Sequence, residues 1–294
     1  MLKGRAMSLV ERIVEIRAQD PHRIARVLAE RPRGTMPSDG GKLMVIACDH
    51  PARGALVVGR DETAMADREE LLGRCVEALG RPGVHGFLGT ADLVEDLALL
   101  GALDGKLVYG SMNRGGLMGA KFEMDDRFTG YDARGVKAAG LDGGKMLMRI
   151  NYADPASVET MESCARAVDE LAELELMVMV EPFVSTWMAG HISNDLTPYA
   201  VIRSIAIASG LGRTSAHTWL KLPAVADMER VMAATTLPAL ILGGEVKKDN
   251  DESLALWQKA LAIPTVRGLV IGRSLLFPPS GDVAAAVDEA VGLL

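Results

Sequence analysis

The sequence is poor in aromatic residues and in cysteine. Phe, Trp and Tyr make up 4% of the 294 residues, whereas methionine occurs 16 times, so the core must pack mainly aliphatic and methionine side chains. The three cysteines, Cys48, Cys75 and Cys164, are widely spaced and form no CxxC pair. They support neither a disulfide framework nor a zinc knuckle, and we therefore expect a reducing, cytoplasmic compartment.

Long apolar runs and clusters of positive charge are also missing. No segment approaches the roughly 20 apolar residues that cross a bilayer, and residues 1–30 carry charges throughout, unlike a signal peptide. The formal net charge is −7, and no stripe of Lys and Arg could neutralise a row of phosphates. We expect no membrane or nucleic-acid partner. We expect a homo-oligomer, because methionine-rich apolar segments interpreted as helices, such as residues 171–179, leave room for subunit contacts.

Several catalytic signatures are absent. There is no GxSxG turn, P-loop or paired Cys and His, so acyl transfer and nucleotide hydrolysis lack support. No GxGxxG turn follows the first predicted strand, as a dinucleotide-binding sheet would require. His50 and His191 could meet, but the histidines form neither HxH nor HExxH. We expect no metal ion and no organic cofactor.

Short apolar runs alternate with helical patterns eight times from Lys42 onward. The runs are nearly continuous, which is typical of parallel strands buried on both faces. They predict an α/β fold, a (β/α)8 TIM barrel over residues 42–294 after an N-terminal helical extension over residues 1–41, with its helix at 8–30. A doubly wound open sheet fits the same periodicity but usually has fewer strands. The predicted strands are 42–48, 84–88, 106–110, 144–150, 175–180, 218–222, 239–242 and 268–271.

Lys221 is the residue that points most directly to chemistry, since it lies in an otherwise apolar predicted strand. A desolvated lysine has a pKa below its ordinary value of about 10.4, so its amine can be neutral and nucleophilic near pH 7. Such an amine forms Schiff bases with carbonyl substrates. The alternative is a lysine whose stem crosses the edge of the core and whose ammonium group reaches solvent or a carboxylate.

Lys145 and Arg149 share one face of the fourth predicted strand, because side chains alternate with a period of two. If that face is the barrel interior, the two cations would lower the pKa of Lys221 further. If not, Lys145 would reach solvent at the bottom of the barrel.

Carboxylates end two other predicted strands. Asp49 follows the first strand and Glu181 the fifth, where either group could move a proton or form a salt bridge with a nearby cation. Tyr152, just beyond the fourth strand, is a weaker acid/base candidate. Long predicted loops at 111–131 and 182–198 also follow strand ends, where barrel enzymes build their sites.

Glycines end the seventh and eighth predicted strands. Backbone N–H groups of the Gly243-Gly244-Glu245 turn and of Gly272 can closely approach an anion, and Arg273 adds a positive charge. This pattern indicates the usual phosphate site of a barrel. The alternative is that the glycines only turn each strand into the next helix.

The order and spacing of several short segments match a known family. They are ACDHPARG at 47–54, TGYD at 129–132, GKMLMR at 144–149, LKLP at 220–223, Gly243-Gly244 and Gly272-Arg273-Ser274. Together they resemble the class I, Schiff-base (β/α)8 aldolases, including the tagatose-bisphosphate, fructose-bisphosphate and deoxyribose-phosphate enzymes.

The resemblance implies roles for individual residues. Lys221 would be the Schiff-base lysine, Asp49 would interact with substrate, and Lys145 would match a second lysine of the tagatose-type enzymes. Two positions depart from the family pattern. Arg149 stands where relatives often have a tyrosine, which leaves the proton-transfer residue open, and His50 replaces a common glutamine.

The whole chain most resembles an actinobacterial-type barrel group associated with myo-inositol breakdown. This resemblance implies the cleavage of 2-deoxy-5-keto-gluconate 6-phosphate to dihydroxyacetone phosphate and malonate semialdehyde. Arg149 or Arg114 would then bind the substrate carboxylate, because a guanidinium fork matches a carboxylate.

The sequence therefore predicts a class I aldolase acting on a phosphorylated keto sugar or keto acid. Lys221 would attack the ketone, and Glu181 or Asp49 would take the hydroxyl proton. The positive charge of Lys145 would adjust the electrostatic potential around Lys221. The residues expected to contact the substrate are His50, Arg149, Arg114 and Tyr152, with Gly243, Gly244, Gly272 and Arg273 on its phosphate. Three alternatives are a deoxyribose-phosphate, tagatose-bisphosphate or fructose-bisphosphate aldolase, a metal-dependent lyase or isomerase, and a non-catalytic sugar-phosphate-binding protein.

Overall fold

The computed structural model describes residues 7–38, 40–244 and 250–294. Its strands are β1 (Leu43–Cys48), β2 (Gly86–Gly89), β3 (Leu107–Ser111), β4 (Gly143–Ile150), β5 (Met177–Met188), β6 (His191–Asn194), β7 (Thr218–Pro223), β8 (Ala239–Leu242) and β9 (Val266–Ile271). Its α-helices are α1 (Leu9–Gln19), α2 (His22–Glu30), α3 (Arg68–Leu79), α4 (Ala91–Leu99), α5 (Ala133–Ala138), α6 (Ala156–Glu173), α7 (Pro198–Ser209), α8 (Met228–Met232), α9 (Asn250–Leu261), α10 (Arg273–Leu276) and α11 (Val283–Val291).

Eight parallel strands close into a barrel. Their order is β4-β3-β2-β1-β9-β8-β7-β5, and pairing between β4 and β5 joins the two ends. Apolar side chains fill the interior, among them Val45, Leu88 and Tyr109, while a larger apolar layer lies between the strands and the helices. Burial on both faces explains the continuous apolar runs. The predicted (β/α)8 barrel is confirmed, with eight strands close to the predicted positions.

One predicted loop was wrong. Residues 182–198 were expected to be irregular, but β5 continues to Met188 and pairs with β6 as an antiparallel hairpin. Ala189 and Gly190 form the two-residue turn with φ values of 49° and 84°, as a type I′ turn requires. Alanine is an unusual first residue for this turn, because L side chains disfavour positive φ, and these residues therefore do not match the usual sequence signal for a hairpin.

The helix predicted over residues 8–30 is two helices, α1 and α2. Proline has no N–H to donate and disfavours helical geometry in the residue before it. Accordingly, Asp20 ends α1 with φ −142° and ψ 66°, and Pro21 is the N-cap of α2.

The helix expected around residues 171–179 was also wrong: α6 ends at Glu173, and β5 starts at Met177. Leu171 and Met179 are buried within this chain and give no support to a subunit contact there.

The chain after α2 is tied to the strand starts by two arginines. The buried Arg31 donates hydrogen bonds to the carbonyl oxygens of Lys106 (2.8 Å) and Gly140 (3.0 Å) and lies 3.5 Å from Asp142 Oδ2. Arg33, whose side chain is 53% exposed, pairs with the other oxygen of Asp142 at 2.6 Å. Arg31 therefore joins the N-terminal extension to the barrel through buried groups.

We expect Arg31→Met to lower the free energy of unfolding by about 2 to 4 kcal/mol, because it removes several hydrogen bonds of a buried guanidinium group and leaves the carbonyl oxygen of Gly140 without this donor. Urea unfolding followed by circular dichroism measures this change. Arg33→Met is the matched control and should cost less than about 1 kcal/mol, since the side chain of Arg33 is 53% exposed and solvent screens its charge. Equal losses in the two variants would contradict the assigned role of Arg31.

In the part of the chain that the structure describes, every helix is too short or too polar to cross a membrane.

Candidate active site

Three ionisable side chains occupy adjacent strands inside the barrel. Lys145 on β4 is aligned with Met179 and Lys221 on β7 with Leu240, and both of these neighbours belong to the interior apolar cluster. Neighbours in register on parallel strands point to the same face, so the two lysines also point inward. Lys145 is 0% and Lys221 3% exposed, and Glu181 on β5 is buried between them in the strand order. Lys145 thus faces the barrel interior, one of two orientations that its sequence position allowed.

Glu181 bridges the two lysines. Lys221 Nζ donates to Glu181 Oε1 at 2.7 Å, and Lys145 Nζ contacts Glu181 Oε2. Burial alone would raise the pKa of Glu181, but Lys145, Lys221 and Arg114 hold it well below its usual range, so the carboxyl group is ionised.

Asp49 forms the other half of the network. Its Oδ2 atom accepts a hydrogen bond from Ser111 Oγ (3.1 Å), lies 3.3 Å from Lys145 Nζ and pairs with Arg114 Nη2. Arg114 Nε donates to Ser111 Oγ at 3.1 Å, which fixes the guanidinium group beside Asp49. Sequence reasoning did not select Ser111, because a serine at a strand end has no distinctive signal until its partners are known.

This network contains more cations than carboxylates. Lys145, Lys221 and Arg114 carry three potential positive charges, against the two negative charges of Asp49 and Glu181. Burial lowers the pKa of both lysines, and the neighbouring cations lower it further. Burial also lowers the pKa of Arg114 to about 10. Loss of one proton from a lysine would balance the charges, so the site favours one neutral amine.

His50 lies next to this network. Its Nδ1 atom is buried 3.8 Å from Asp49 Oδ1, and the residues that the structure describes give Nδ1 no hydrogen bond. Burial and the charges of Arg273 and Lys221 hold the pKa of His50 well below its usual range. The imidazole is therefore neutral near pH 7 and can act as a hydrogen-bond donor or acceptor.

Arg149 is inside the barrel, but its guanidinium group is occupied. Nε and Nη2 donate to the two carboxylate oxygens of Asp126 at 2.8 and 2.7 Å, and the group also contacts Glu123. Both acids belong to the long segment between β3 and α5, which folds back over β4. A side chain at Gly116 would meet Nη2 of Arg149 at 2.5 Å, so this glycine permits the close packing. The guanidinium fork of Arg149 was expected to bind a substrate carboxylate, but here it binds the carboxylate of Asp126.

Asn113 fixes the start of the same segment. Its amide donates to the carbonyl oxygens of Leu147 (2.6 Å) and Asp126 (3.1 Å) and accepts from Leu147 N–H (2.7 Å). The side chain therefore continues the pairing of β3 with β4 beyond the end of β3. This arrangement could not be read from the sequence, because an asparagine at a strand end usually indicates only a turn.

Tyr152 lies away from the lysine network. It is 61% exposed, and the guanidinium carbon of Arg203 lies 4.1 Å from the centre of its ring. The structure thus places this acid/base candidate on the rim of the barrel.

The glycine turns lie where β8 and β9 end. A side chain at Gly272 would overlap the carbonyl oxygen of Ala47, and one at Gly243 would come 2.7 Å from Ile271 Cγ2 and 3.0 Å from Ser274 Oγ. Gly244 has a φ of 71°, which favours glycine. Both turns therefore need glycine to pack closely, as the alternative interpretation expected. Glu245 lies outside the described residues.

Two side chains next to these turns can interact with an anion. Ser274 Oγ is buried and has no hydrogen-bond partner among the described residues. Arg273 Nη1 donates to the carbonyl oxygen of Val57 at 3.3 Å, and its charge acts on both His50 and Lys221.

The described histidines do not form a metal centre. Among the residues that the structure describes, no group of three His, Cys, Asp or Glu side chains is arranged to hold a metal ion. His191 is exposed on β6, in the hairpin beyond the barrel.

Known proteins share this architecture. A family model described as Cgl0159-like matches residues 41–291. The crystal structure of Cgl0159 from Corynebacterium glutamicum is 53% identical over 97% of this chain and 96% of that chain, with a TM-score of 0.94. No curated protein matches the chain.

Fructose-bisphosphate aldolases share the fold at low sequence identity. A Schiff-base-forming fructose-1,6-bisphosphate aldolase is 18% identical over 92% of this chain and 99% of its own, with a TM-score of 0.65. The fructose-bisphosphate aldolase from Slackia heliotrinireducens is 16% identical over 94% of this chain and 91% of its own, with a TM-score of 0.62. The expected structural similarity to class I aldolases is confirmed for the fold. With its barrel matched almost from end to end, the chain belongs to the Cgl0159-like family.

Proposed function

We propose that the protein is a class I aldolase in which Lys221 forms a Schiff base with a phosphorylated ketose or keto acid. The observation that carries this proposal is a buried lysine bound to one carboxylate, in a network with one cation more than it has carboxylates. A lysine in such a site can lose its proton and act as a nucleophile near pH 7. The aldolase fold of distant relatives is consistent with this chemistry.

Lys221 is a better nucleophile candidate than Lys145. Lys145 contacts both Glu181 and Asp49, and two carboxylates stabilise its ammonium form. Among the carboxylates that the structure describes, Lys221 is paired with Glu181 alone. Lys145 is then the cation that remains when Lys221 loses its proton.

The neutral amine of Lys221 would attack the substrate ketone and, after loss of water, form an iminium. Glu181 would accept the proton of the substrate hydroxyl on the carbon β to the iminium carbon. The bond between the α and β carbons then breaks: its electron pair converts the iminium to an enamine, and the β carbon leaves as an aldehyde. Protonation of the enamine and addition of water release the second product and regenerate the amine. Asp49 is the second candidate for the base.

The turns at β8 and β9 are proposed to hold the phosphate. Backbone N–H groups at Gly243, Gly244 and Gly272 can approach an anion closely, and Arg273 contributes charge. Ser274 Oγ, which is buried beside Gly243, adds a donor at a residue that sequence reasoning named only as part of the Gly272-Arg273-Ser274 segment. We propose 2-deoxy-5-keto-gluconate 6-phosphate as the substrate, because it has a phosphate beside its ketone and a carboxylate at the other end.

Trapping with borohydride tests the mechanism. The protein is incubated with dihydroxyacetone phosphate, reduced with sodium borohydride, digested and mapped by mass spectrometry. We expect one adduct, on the peptide that contains Lys221. An adduct on Lys145 would transfer the role to that residue. Binding of the phosphate without any adduct would favour the non-catalytic sugar-phosphate-binding protein.

A further inference from the structure

Arg53 has a buried guanidinium nitrogen near the charged groups of the site, and none of the described residues accepts a hydrogen bond from it. It ends a 3-10 turn at Pro51–Arg53 that follows β1, and its Nη1 atom is buried. The residues that the structure describes give this nitrogen no hydrogen bond. A buried guanidinium N–H without an acceptor is costly, and such groups in a native structure call for an explanation.

The backbone of Arg53 is held on both sides. Gly54 closes the turn with a φ of 74° and donates to Pro51 O at 2.9 Å. The carbonyl oxygen of Arg53 accepts from Met118 N at 2.9 Å, so the turn is bonded to the segment between β3 and α5. The unpartnered nitrogen therefore belongs to a residue whose main chain is well fixed.

The charges near Arg53 have closer partners elsewhere. The carboxylates of Glu123 and Asp126 attract the guanidinium group of Arg53, but both are bonded to Arg149. The positive charge of Arg149 repels Arg53. Glu181 also attracts it but is bonded to Lys145 and Lys221. Arg53 is thus attracted to this side of the site as a cation, while its Nη1 remains able to donate.

Two other arginines of the site already pair with carboxylates of the protein. Arg149 is paired with Asp126, and Arg114 is paired with Asp49. Arg53 is therefore better placed than either to bind a second anionic group of the substrate. Arg273, which is proposed to bind the first phosphate, follows β9. The charged groups that act on Arg53 belong instead to β4, β5 and the segment after β3.

We infer that Arg53 binds a second anionic group at the end of the substrate remote from the ketone, so that the site selects substrates with two anionic ends. This inference rests on the proposed function and deepens it. In the retro-aldol step, Arg53 would hold the half that leaves as the aldehyde, while the turns at β8 and β9 hold the half that remains on Lys221. A carboxylate and a phosphate are both suitable anions for a guanidinium fork.

Calorimetric titration with ligands that lack a ketone tests the inference independently of Schiff-base formation. The probes are 6-phosphogluconate and glucitol 1,6-bisphosphate, each with two anionic ends, and glucitol 6-phosphate, with one. We expect wild-type protein to bind at least one two-anion probe more tightly than glucitol 6-phosphate. The preferred probe identifies the second group as a carboxylate or a phosphate.

Substitution then assigns the preference to Arg53. We expect Arg53→Gln to lower the affinity for the preferred two-anion probe about tenfold or more, as is typical for a lost hydrogen bond to a charged group. The affinity for glucitol 6-phosphate should not change. Arg53→Lys, which keeps the charge but loses the fork, should give a smaller loss and serves if the glutamine variant does not fold. Arg60→Gln, at an exposed arginine in the same loop, is the matched control and should bind like wild type.

Three results would overturn the role of Arg53: no preference for two anions in the wild type, equal weakening of all probes, or an unchanged preference in the Arg53 variants. Failure of the proposed function is separate, since it would appear as a missing dihydroxyacetone phosphate adduct while the two-anion preference persists.

Discussion

Lys221→Met is expected to eliminate the borohydride adduct and to lower aldol cleavage at least about a thousandfold, because the remaining amine of the network, Lys145, is held in its ammonium form by Glu181 and Asp49. Methionine has a similar length and is compatible with burial, so the barrel should remain folded. Glu181 keeps its contact with Lys145 in this variant. Cleavage of 2-deoxy-5-keto-gluconate 6-phosphate, followed by aldehyde release, measures the loss.

The matched control is Lys259→Met, at an exposed lysine on α9. It should keep both the adduct and the turnover. The thermal unfolding midpoint of each variant separates loss of chemistry from loss of fold. Turnover within tenfold of wild type in a folded Lys221→Met protein would contradict the Schiff-base role.

Glu181→Gln is expected to change both the rate and the pH dependence. Its carboxylate raises the pKa of both lysines, so removing the charge lowers the pKa of Lys221 further. The nucleophile must be the neutral amine, and a lower pKa makes it neutral at lower pH. The acidic limb of adduct formation should therefore move to lower pH, while turnover falls about 10²- to 10⁴-fold through loss of the base.

Adduct yield against pH and turnover at saturating substrate measure these two effects separately. Glu159→Gln, at an exposed glutamate on α6, removes the same charge outside the barrel and should change neither. If Glu181→Gln keeps its turnover while Asp49→Asn loses it, the base is Asp49. If the acidic limb does not move, Glu181 does not control the titration of the nucleophile.

The barrel was predictable because its strands are buried on both faces. This burial produces continuous apolar runs, and eight of them alternate with helical patterns. A polar residue is conspicuous in such a run, which is how Lys221 and Lys145 were recognised, whereas Glu181 was selected because it directly follows the fifth run. Pro21 was also a signal for the break between α1 and α2, but the single helix predicted over residues 8–30 did not take it into account.

The partners of each charge were not predictable. Arg149 meets Asp126 only because the segment after β3 folds back over β4, and nothing local in the sequence specifies that path. Arg53 was visible within the segment at 47–54, but its significance depends on which neighbouring charges are already paired. Long-range side-chain geometry therefore decides which of several arginines can meet a ligand.

The long pairing of β5 with β4 determines how precisely the charged groups of the site are placed. Glu181 faces inward because β5 is aligned with β4 over eight residue pairs, from Gly143 with Met177 to Ile150 with Val184. A slip of one residue would turn this carboxylate outward and separate it from both amines, since side chains alternate along a strand. β6 pairs with β5 and would move with it, so the hairpin from Ser185 to Met188 does not hold β5 in place against β4. The eight-pair contact itself is the register anchor: a slip would break its hydrogen bonds and uncouple the two lysines.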